Sequence, residues 1–228
     1  MRRQRGFTLV EILVSIAVGL VIIVAIYAAV ATGQRSSVSI ERKVVAHQDA
    51  RAALELMTLE IQMASFNPTY ATGLWKNPAT CNAASGNQTY RGIQAASAIS
   101  MTVEADINEN GTIGDSNEII TYTYDAAKQY ITRATNCGGN MPFLGDDPEE
   151  DRPRAVRVIN TDAVPVFRYF NAQGTEITTG ELPAGIPNIA RIDIVLWVET
   201  ENVDANTNER RRMVYSTNII PRNHVIIQ

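Results

Sequence analysis

The chain has 228 residues, of which 45% are hydrophobic and 19% are charged. This length and hydrophobic content are enough for one domain with its own core and an appended helix. Its 20 Lys and Arg are outnumbered by 24 Asp and Glu, so the formal net charge is -4. An acidic chain without a basic stripe is a poor binder of nucleic acid through phosphate neutralisation, and we expect no nucleic-acid partner.

The first 34 residues combine a short basic leader with an uninterrupted apolar segment. Arginine stands at positions 2, 3 and 5, and no charged side chain occurs from Ile12 to Gln34. As a helix this run would be about 33 Å long, enough to cross a hydrocarbon core of about 30 Å. The arginines ahead of it favour a cytoplasmic start. A cleaved secretory signal is less favoured, because the run is longer than a signal core and no A-x-A-like site follows it.

Glu11 stands among the apolar residues at the start of this segment. A carboxylate inside a membrane costs a few kcal/mol unless it finds a partner. A plain membrane anchor has no use for such a residue, so Glu11 predicts a specific pairing.

The string GFTLVE at residues 6–11, after an Arg-rich leader, resembles the processing motif of type IV prepilins and pseudopilins. The resemblance implies that a prepilin peptidase on the cytoplasmic face cuts between Gly6 and Phe7. Residues 1–6 would leave as a leader peptide, and the new Phe7 amine would be N-methylated. Glu11 would then pair with an amino-terminal nitrogen in a growing filament, which is the assembly role that the resemblance implies.

The helical pattern continues beyond the apolar segment but becomes amphipathic. Because no proline occurs before Pro68, we expect one helix from about Phe7 to Phe66. Its part at 7–34 would be the transmembrane and filament-core helix, and its part at 35–66 would pack on a globular head. Two apolar rows mark the second part: Leu54, Met57, Ile61 and Ala64, and then Leu56, Leu59 and Met63.

Residues 67–228 are expected to form a β-rich head. Residues 68–97 predict a loop, and Gly138–Arg154 predicts a second, acidic loop. Between and after them, β-branched and aromatic runs predict strands. These strands are Ile99–Ala105, Glu118–Tyr124, Gln129–Arg133, Val156–Ile159, Val164–Phe170, Ile189–Glu199 and Met213–Ile220. The predicted fold class is α+β, with a long N-terminal hydrophobic and amphipathic helix packed on an antiparallel β-sheet head.

Several strings within residues 98–222 resemble a narrower group, the PilW-type minor pilins and the related J minor pseudopilin of type II secretion. They are DINENG followed by EIITYTYD, then VFRYFNAQG, ARIDIVLWVE and YSTNIIPRN. The resemblance implies a low-copy subunit that joins other minor pilins and the major pilin in an initiation or tip complex, at an inner-membrane assembly platform. Such a subunit would span the inner membrane once, with a cytoplasmic N-terminus and a periplasmic head, before it enters an extracellular pilus.

Two alternatives stay open beside that interpretation. A minor pseudopilin of a type II secretion system would show the same features, whereas a membrane-anchored, calcium-dependent binding or adhesin domain would keep its N-terminus uncut. Catalytic motifs such as H-E-x-x-H, G-x-S-x-G and the Walker loop do not occur in the sequence, and its two histidines are His47 and His224. We therefore expect no enzyme and no required cofactor.

Cys81 and Cys137 both follow the apolar segment in the chain. In an oxidising compartment such a pair is expected to form a disulfide, whereas in the cytosol the two would be ordinary buried thiols. A bridge would close a loop of roughly 57 residues and contribute about 4 kcal/mol in the chain-entropy model.

The segment from Asp106 to Ile113 matches the start of a calcium loop of the D-x-[DN]-x-[DN]-G type, with its sharp turn at Gly111. Strict spacing would put the bidentate acid at Asn117, so that Glu118 is one position late. The candidate ligands are Asp106, Asn108, Asn110, Thr112, Asp115 and Glu118. A polar hairpin turn would need the same Asn and Gly residues, so calcium and a plain turn both stay open.

Two further charged clusters stand in the head. The acidic residues at 146–151 predict a solvated loop, with a second cation site or a partner-facing patch as the alternative. The run Arg210-Arg211-Arg212 predicts protection of an edge strand, with contact to DNA or lipid headgroups as the alternative.

Overall fold

The computed structural model describes residues 8–145, 155–204 and 207–224. In these ranges one long helix, α1 (Leu9–Gln62), precedes ten strands and two short 3-10 helices, Gln88–Tyr90 and Ile186–Asn188. The strands are β1 (Ile93–Ala96), β2 (Ser100–Glu104), β3 (Ile119–Asp125), β4 (Tyr130–Thr135), β5 (Met141–Leu144), β6 (Val156–Val158), β7 (Phe167–Phe170), β8 (Glu176–Ile177), β9 (Arg191–Thr200) and β10 (Arg212–Ile219). This element order confirms the predicted α+β class.

The strands form two five-stranded antiparallel sheets. The first has the order β1-β2-β3-β4-β5, and the second has the order β10-β9-β7-β8, with β6 paired to the end of β9. The second half of α1 lies against both sheets, since it contacts β5, β6, β9 and β10. A single large hydrophobic core unites buried side chains of the helix and of both sheets.

Side-chain alternation in the central strands follows the sequence pattern. In β3, Tyr122 and Tyr124 are buried while Thr121 and Thr123 are half-buried on the opposite face. On that opposite face, the hydroxyls of Thr121 and Thr102 are 2.9 Å apart across the strand pair. In β9 the same alternation buries four aliphatic side chains completely: Ile192, Ile194, Leu196 and Val198.

The helix ends at Gln62 and not at Phe66, so the predicted C-terminus was wrong. The chain leaves the helix because tertiary hydrogen bonds capture the next residues. The N–H of Ser65, which has a φ of 69°, donates to the carbonyl of Glu104 at 2.9 Å. The carbonyl of Phe66 accepts from Asp106 N at 2.9 Å. The helix therefore stops before the Asn67-Pro68 signal is reached.

Three strands were not predicted. β1 lies in the segment 68–97 and β5 in the segment 138–154, both of which the sequence predicted to be loops, and β8 has two residues. β1 and β5 are strands because β2 and β4 offer them a free edge for pairing, and not because of their own propensity. β7 begins later than predicted, because Val164 pairs with Thr161 in an isolated bridge instead.

Candidate functional site

Glu11 lies in the first turn of α1, where it forms a capping box with Thr8. Its Oε2 accepts hydrogen bonds from Thr8 N at 2.8 Å and from Thr8 Oγ1 at 3.0 Å, and Glu11 N donates to Thr8 Oγ1 at 3.3 Å. None of the described residues donates to Oε1 of Glu11. The carboxylate thus closes the helix start with one oxygen, and the other has no hydrogen-bond donor among the described residues. Gly6 and Phe7 lie outside the described residues.

The first half of α1 is apolar on every side and uncovered. Large aliphatic side chains from Leu9 to Val30 are more than half exposed, and α1 is long and apolar enough to cross a membrane. A helix that is hydrophobic all round must be covered by lipid or by other helices. This half can therefore insert into a bilayer or pack with neighbouring helices, and the head does not hinder either.

Burial on α1 begins at Ser39 and then follows helical spacing along one face. The buried residues after it are Ala46, Ala50, Ala53, Met57 and Ile61. Small residues in the middle of the helix let the second sheet approach closely. The first predicted apolar row is the one that faces the head, while Leu56, Leu59 and Met63 of the second row are 41%, 61% and 39% exposed. The second row is therefore free to contact other chains.

Asp204, in the turn between β9 and β10, fastens the head to the lower part of α1. Its Oδ2 accepts from Ser39 Oγ at 2.8 Å and lies 2.9 Å from Lys43 Nζ. The backbone at Asp204 is fixed within the same turn, because its N–H donates to the carbonyl of Glu209 at 2.9 Å. The contact ties the β9–β10 turn to the helix just beyond the apolar half.

Glu60 fastens the upper part of α1 to the first sheet. Its two carboxylate oxygens accept from Arg133 Nε at 3.1 Å and Arg133 Nη2 at 2.7 Å, and Oε2 also accepts from the hydroxyl of Tyr122. The hydrogen bonding of Arg133 to Glu60 and the charge of the Glu60 carboxylate raise the pKa of the Arg133 guanidinium. Burial, with Glu60 adding to it, raises the pKa of Tyr122. The sequence analysis missed this network because nothing local marks Arg133 as the partner of Glu60.

A third fastening closes the top of the helix. Ser65 Oγ lies 2.8 Å from His224 Nδ1 and accepts from Gly92 N at 2.9 Å, and His224 Nε2 lies 3.1 Å from the carbonyl of Ile186. Burial lowers the pKa of His224 to about 4, so the imidazole is neutral at pH 7. A side chain at Gly92 has no room, since its Cβ would stand 2.1 Å from Ser65 N.

Cys81 and Cys137 form a disulfide with a Cα–Cα distance of 5.8 Å. It joins the loop after α1 to the residues that follow β4. Around it lies a small second core of Leu74, Trp75 and Ile119 on the outer face of the first sheet. The bridge therefore fixes a long irregular segment that has little other regular structure.

The loop of the predicted calcium site satisfies its oxygens largely with its own donors. The carboxylate of Asp106 accepts from Asn110 N at 3.1 Å and Gly111 N at 2.9 Å. Asp115 Oδ2 accepts from the amide nitrogens of Asn108 at 2.7 Å and Asn110 at 2.6 Å. These bonds turn the amide nitrogens, which cannot bind a metal, towards the acid.

Glu118 completes this loop from the start of the neighbouring strand. Its Oε2 accepts from Gly114 N at 3.0 Å and Asp115 N at 2.8 Å, while its buried Oε1 has no hydrogen-bond partner. Thr112 donates from its N–H and hydroxyl to Asn110 Oδ1, at 2.8 and 2.7 Å. Within the described parts of the chain, no three or more His, Cys, Asp and Glu side chains converge as metal ligands would. The acidic cluster at 146–151 lies outside those parts, so its predicted role stays a prediction.

Comparison with known proteins identifies one segment. Residues 1–27 match a family model described as the prokaryotic N-terminal methylation motif. Neither a curated protein nor a solved structure matches the chain. The motif supports a precursor of the type IV pilin and pseudopilin class, and it implies processing by a prepilin peptidase and assembly into filaments of the pilus type. Together with the apolar half of α1, it agrees with a membrane-anchored precursor.

Proposed function

We propose that the chain is a minor pilin-like structural subunit that acts in the initiation or tip complex of a type IV pilus. The observation that carries the proposal is the methylation motif at residues 1–27, which includes the start of an apolar helix that the head leaves uncovered. A protein built in this way can leave the bilayer only by exchanging lipid for neighbouring helices, which is how a filament core forms.

The mechanism is assembly and not catalysis. A prepilin peptidase cuts between Gly6 and Phe7, and the apolar side chains that follow pack against neighbouring helices. The free Oε1 of Glu11 accepts a buried amine, and a pair of this kind specifies register more than it adds stability. The exposed row of Leu56, Leu59 and Met63 adds contacts higher on the same helix.

The minor role rests on the resemblance to PilW-type minor pilins within residues 98–222 and on the size of the chain, 228 residues, which is larger than a typical major pilin. The partners are then other minor pilins, the major pilin and the inner-membrane assembly platform. Before assembly the protein spans the inner membrane once with a periplasmic head, and after assembly it belongs to the extracellular pilus. A minor pseudopilin of type II secretion is the alternative within the same class.

The intact mass and amino-terminal sequence of the protein from its native membrane test the processing step. We expect a chain that begins at Phe7 and is heavier by one methyl group. A chain that begins at Met1, or that is cut beyond the apolar segment, would refute the proposal and favour an anchored adhesin.

The Glu11→Leu variant tests the assembly step. It should still insert into the membrane, because the apolar segment becomes longer, but its amount in sheared filaments should fall at least about tenfold for the loss of a buried charge partner. Glu41→Leu is the matched control, since Glu41 is an exposed glutamate of the same helix. Normal incorporation of Glu11→Leu would contradict the mechanism. In a deletion strain, loss of pili supports the pilus, and loss of protein secretion with pili intact supports the pseudopilin.

A further inference from the structure

A pocket of about 440 Å³ lies between the lower part of α1 and the β9–β10 turn. Its helical wall runs from Ala31 to Lys43, and its opposite wall comes from Thr200, Asn202, Val203, Asp204 and Arg211. Ala31, Val38 and Val203 form an apolar part of the lining. The pocket is therefore a cleft at the place where the apolar half of the helix meets the head.

The lining of this pocket is strongly cationic. It contains four basic residues, Arg35, Arg42, Lys43 and Arg211, and one acid, Asp204. The acid lies 2.9 Å from Lys43 and so compensates that residue. Arg35, Arg42 and Arg211 are exposed, and within the described parts of the chain no ion pair engages their guanidinium groups. Three uncompensated positive charges thus share one cleft.

The two neighbouring arginines, Arg210 and Arg212, have other partners and do not line the pocket. Arg210 Nε donates to the carbonyl of Glu201 at 3.0 Å, and Arg212 Nε lies 3.5 Å from Glu199 Oε2. Both of these arginines are thus engaged by the second sheet. Of the run of three, only Arg211 lines the pocket. Edge protection, which the sequence predicted for the run, stays a prediction, and the described residues give the Arg211 side chain no comparable contact.

The position along α1 places the lower end of the pocket at the depth of lipid headgroups. The uncharged run ends at Gln34, so Ala31 lies at the edge of the hydrocarbon and Arg35 about 6 Å above it. Arg42 lies about 16 Å above Ala31, and helical side chains incline towards the N-terminus, which here means towards the membrane. Polar headgroups occupy about 5–8 Å on each side of the hydrocarbon core.

Positive charge at this place is unusual for the outer side of a membrane segment. Lys and Arg are depleted in the residues that follow an outward-going span, because they hinder its translocation. Here Arg35, Arg42 and Lys43 all occur within ten residues of Gln34. Because these charges hinder translocation, we expect them to make a favourable interaction once the helix is inserted.

We propose that this pocket binds the phosphate headgroup of an anionic phospholipid in the outer leaflet of the inner membrane. The orientation in the membrane rests on the proposed function. Guanidinium groups bind phosphate oxygens in a bidentate manner, and three of them surround a cleft of headgroup size. Ala31 and Tyr27, one turn apart on the same helix face, continue the cleft downwards as an apolar surface for the acyl chains. The bound lipid holds the head upright on the bilayer until neighbouring subunits replace it.

The experiment measures which lipids stay with the full chain. The protein is reconstituted in nanodiscs of phosphatidylcholine with a minor fraction of phosphatidylglycerol and then extracted in mild detergent, and the retained lipids are quantified by mass spectrometry. We expect phosphatidylglycerol to be enriched over its fraction in the disc. Arg35→Gln with Arg42→Gln should reduce that enrichment about 25-fold, since each arginine at an anionic surface is worth about fivefold. Arg211→Gln alone should reduce it about fivefold.

The matched control removes two positive charges elsewhere. Arg51 lies about 13 Å beyond Arg42 on α1, and Arg222 lies in the segment that leads to His224, at the top of the helix. The pair Arg51→Gln with Arg222→Gln should leave the enrichment within about twofold of the wild type, because neither residue lines the pocket. Equal retention of both lipids, or an equal loss in the control pair, would overturn the proposal.

Two further measurements show whether a negative result concerns the lipid site or the proposed function. Inorganic phosphate at about 10 mM should not displace the lipid, and displacement would show a site for free phosphate and overturn the lipid assignment. The intact mass of the same sample reports cleavage at Gly6. A processed chain without lipid preference refutes the pocket alone, and an uncut chain with lipid preference refutes the proposed function alone.

Discussion

Glu104 gives the sharpest test of the packing of the head, because its carboxyl is buried beneath the disulfide-bonded loop. It is 1% exposed, Oε2 accepts from Lys76 N at 2.8 Å, and Oε1 has no hydrogen-bond partner. Burial raises the pKa of Glu104 to about 8, and the hydrogen bond and charge of Lys76 oppose this only in part. At neutral pH the folded head therefore carries a protonated glutamate.

The sign of the pH dependence follows from that raised pKa. The unfolded chain ionises near pH 4.5, whereas the folded chain keeps the proton until about pH 8. The free energy of unfolding therefore falls as the pH rises from 4.5 to 8 and is level above that range. At about 1.36 kcal/mol per pH unit, the loss from this one group is about 3 kcal/mol at pH 7.

The variant Glu104→Gln isolates this effect, because glutamine keeps an acceptor for Lys76 N and carries no titrating proton. We expect it to match the wild type at pH 4 and to be more stable by about 3 kcal/mol at pH 7. The measurement is urea unfolding of the detergent-solubilised chain with its disulfide intact, followed by tryptophan fluorescence; Trp75 is 7% exposed in the adjacent core, and Trp197 lies in β9.

Glu118→Gln is the matched control for this measurement. Glu118 is also 1% exposed, but its Oε2 accepts two backbone N–H bonds, from Gly114 and Asp115, that hold the loop after Asp106 in place. Its replacement should lower stability at pH 7. A Glu104→Gln chain no more stable than the wild type at pH 7 would show that the reasoning about burial is wrong.

Three further outcomes are expected. Glu60→Gln should cost about 2 kcal/mol in urea unfolding, less than a fully buried ion pair because the side chains of Glu60 and Arg133 are 15% and 21% exposed; a double-mutant cycle with Arg133→Gln that gives no coupling would contradict the contact. Calcium at about 1 mM, compared with a chelator, should move the melting temperature by less than about 1 °C, since Asp106 is already occupied by backbone N–H groups; a rise of several degrees would establish the calcium loop instead. Reduction of the Cys81–Cys137 bridge should lower stability by about 4 kcal/mol, and an unchanged urea midpoint would show that the loop is held by its other contacts.

Within the candidate site, the sequence predicted those features that depend on one segment alone. An uncharged run that begins at Ile12 is apolar around the whole helix, so its length and exposure follow without any partner. The leader, Gly6 and Glu11 belong to a short motif that the comparison at residues 1–27 also finds. The assembly role of Glu11 and the minor position in the filament stay predictions.

Other features depended on residues far apart in the chain. Ser39 and Asp204 are separated by 165 residues, and Glu60 and Arg133 by 73, so no spacing along the chain announces either contact. The cationic pocket likewise combines two helix arginines with Arg211 from the β9–β10 turn. Polar side chains on the head-facing side of the helix, such as Ser39 and Glu60, indicate that polar contacts with the head exist. They do not indicate which residues of the head form those contacts.

What the sequence by itself determined was the long helix, the α+β class and the alternation within strands such as β3 and β9. These follow from periodicity, which is a property of each segment and its solvent. Only the tertiary structure decided the end of α1 at Gln62, the pairing of β1 and β5, and the use of oxygens in the loop after Asp106. The reason is that a backbone N–H or carbonyl takes whichever partner the packed chain brings within reach, and this choice depends on distant strands as much as on local propensity.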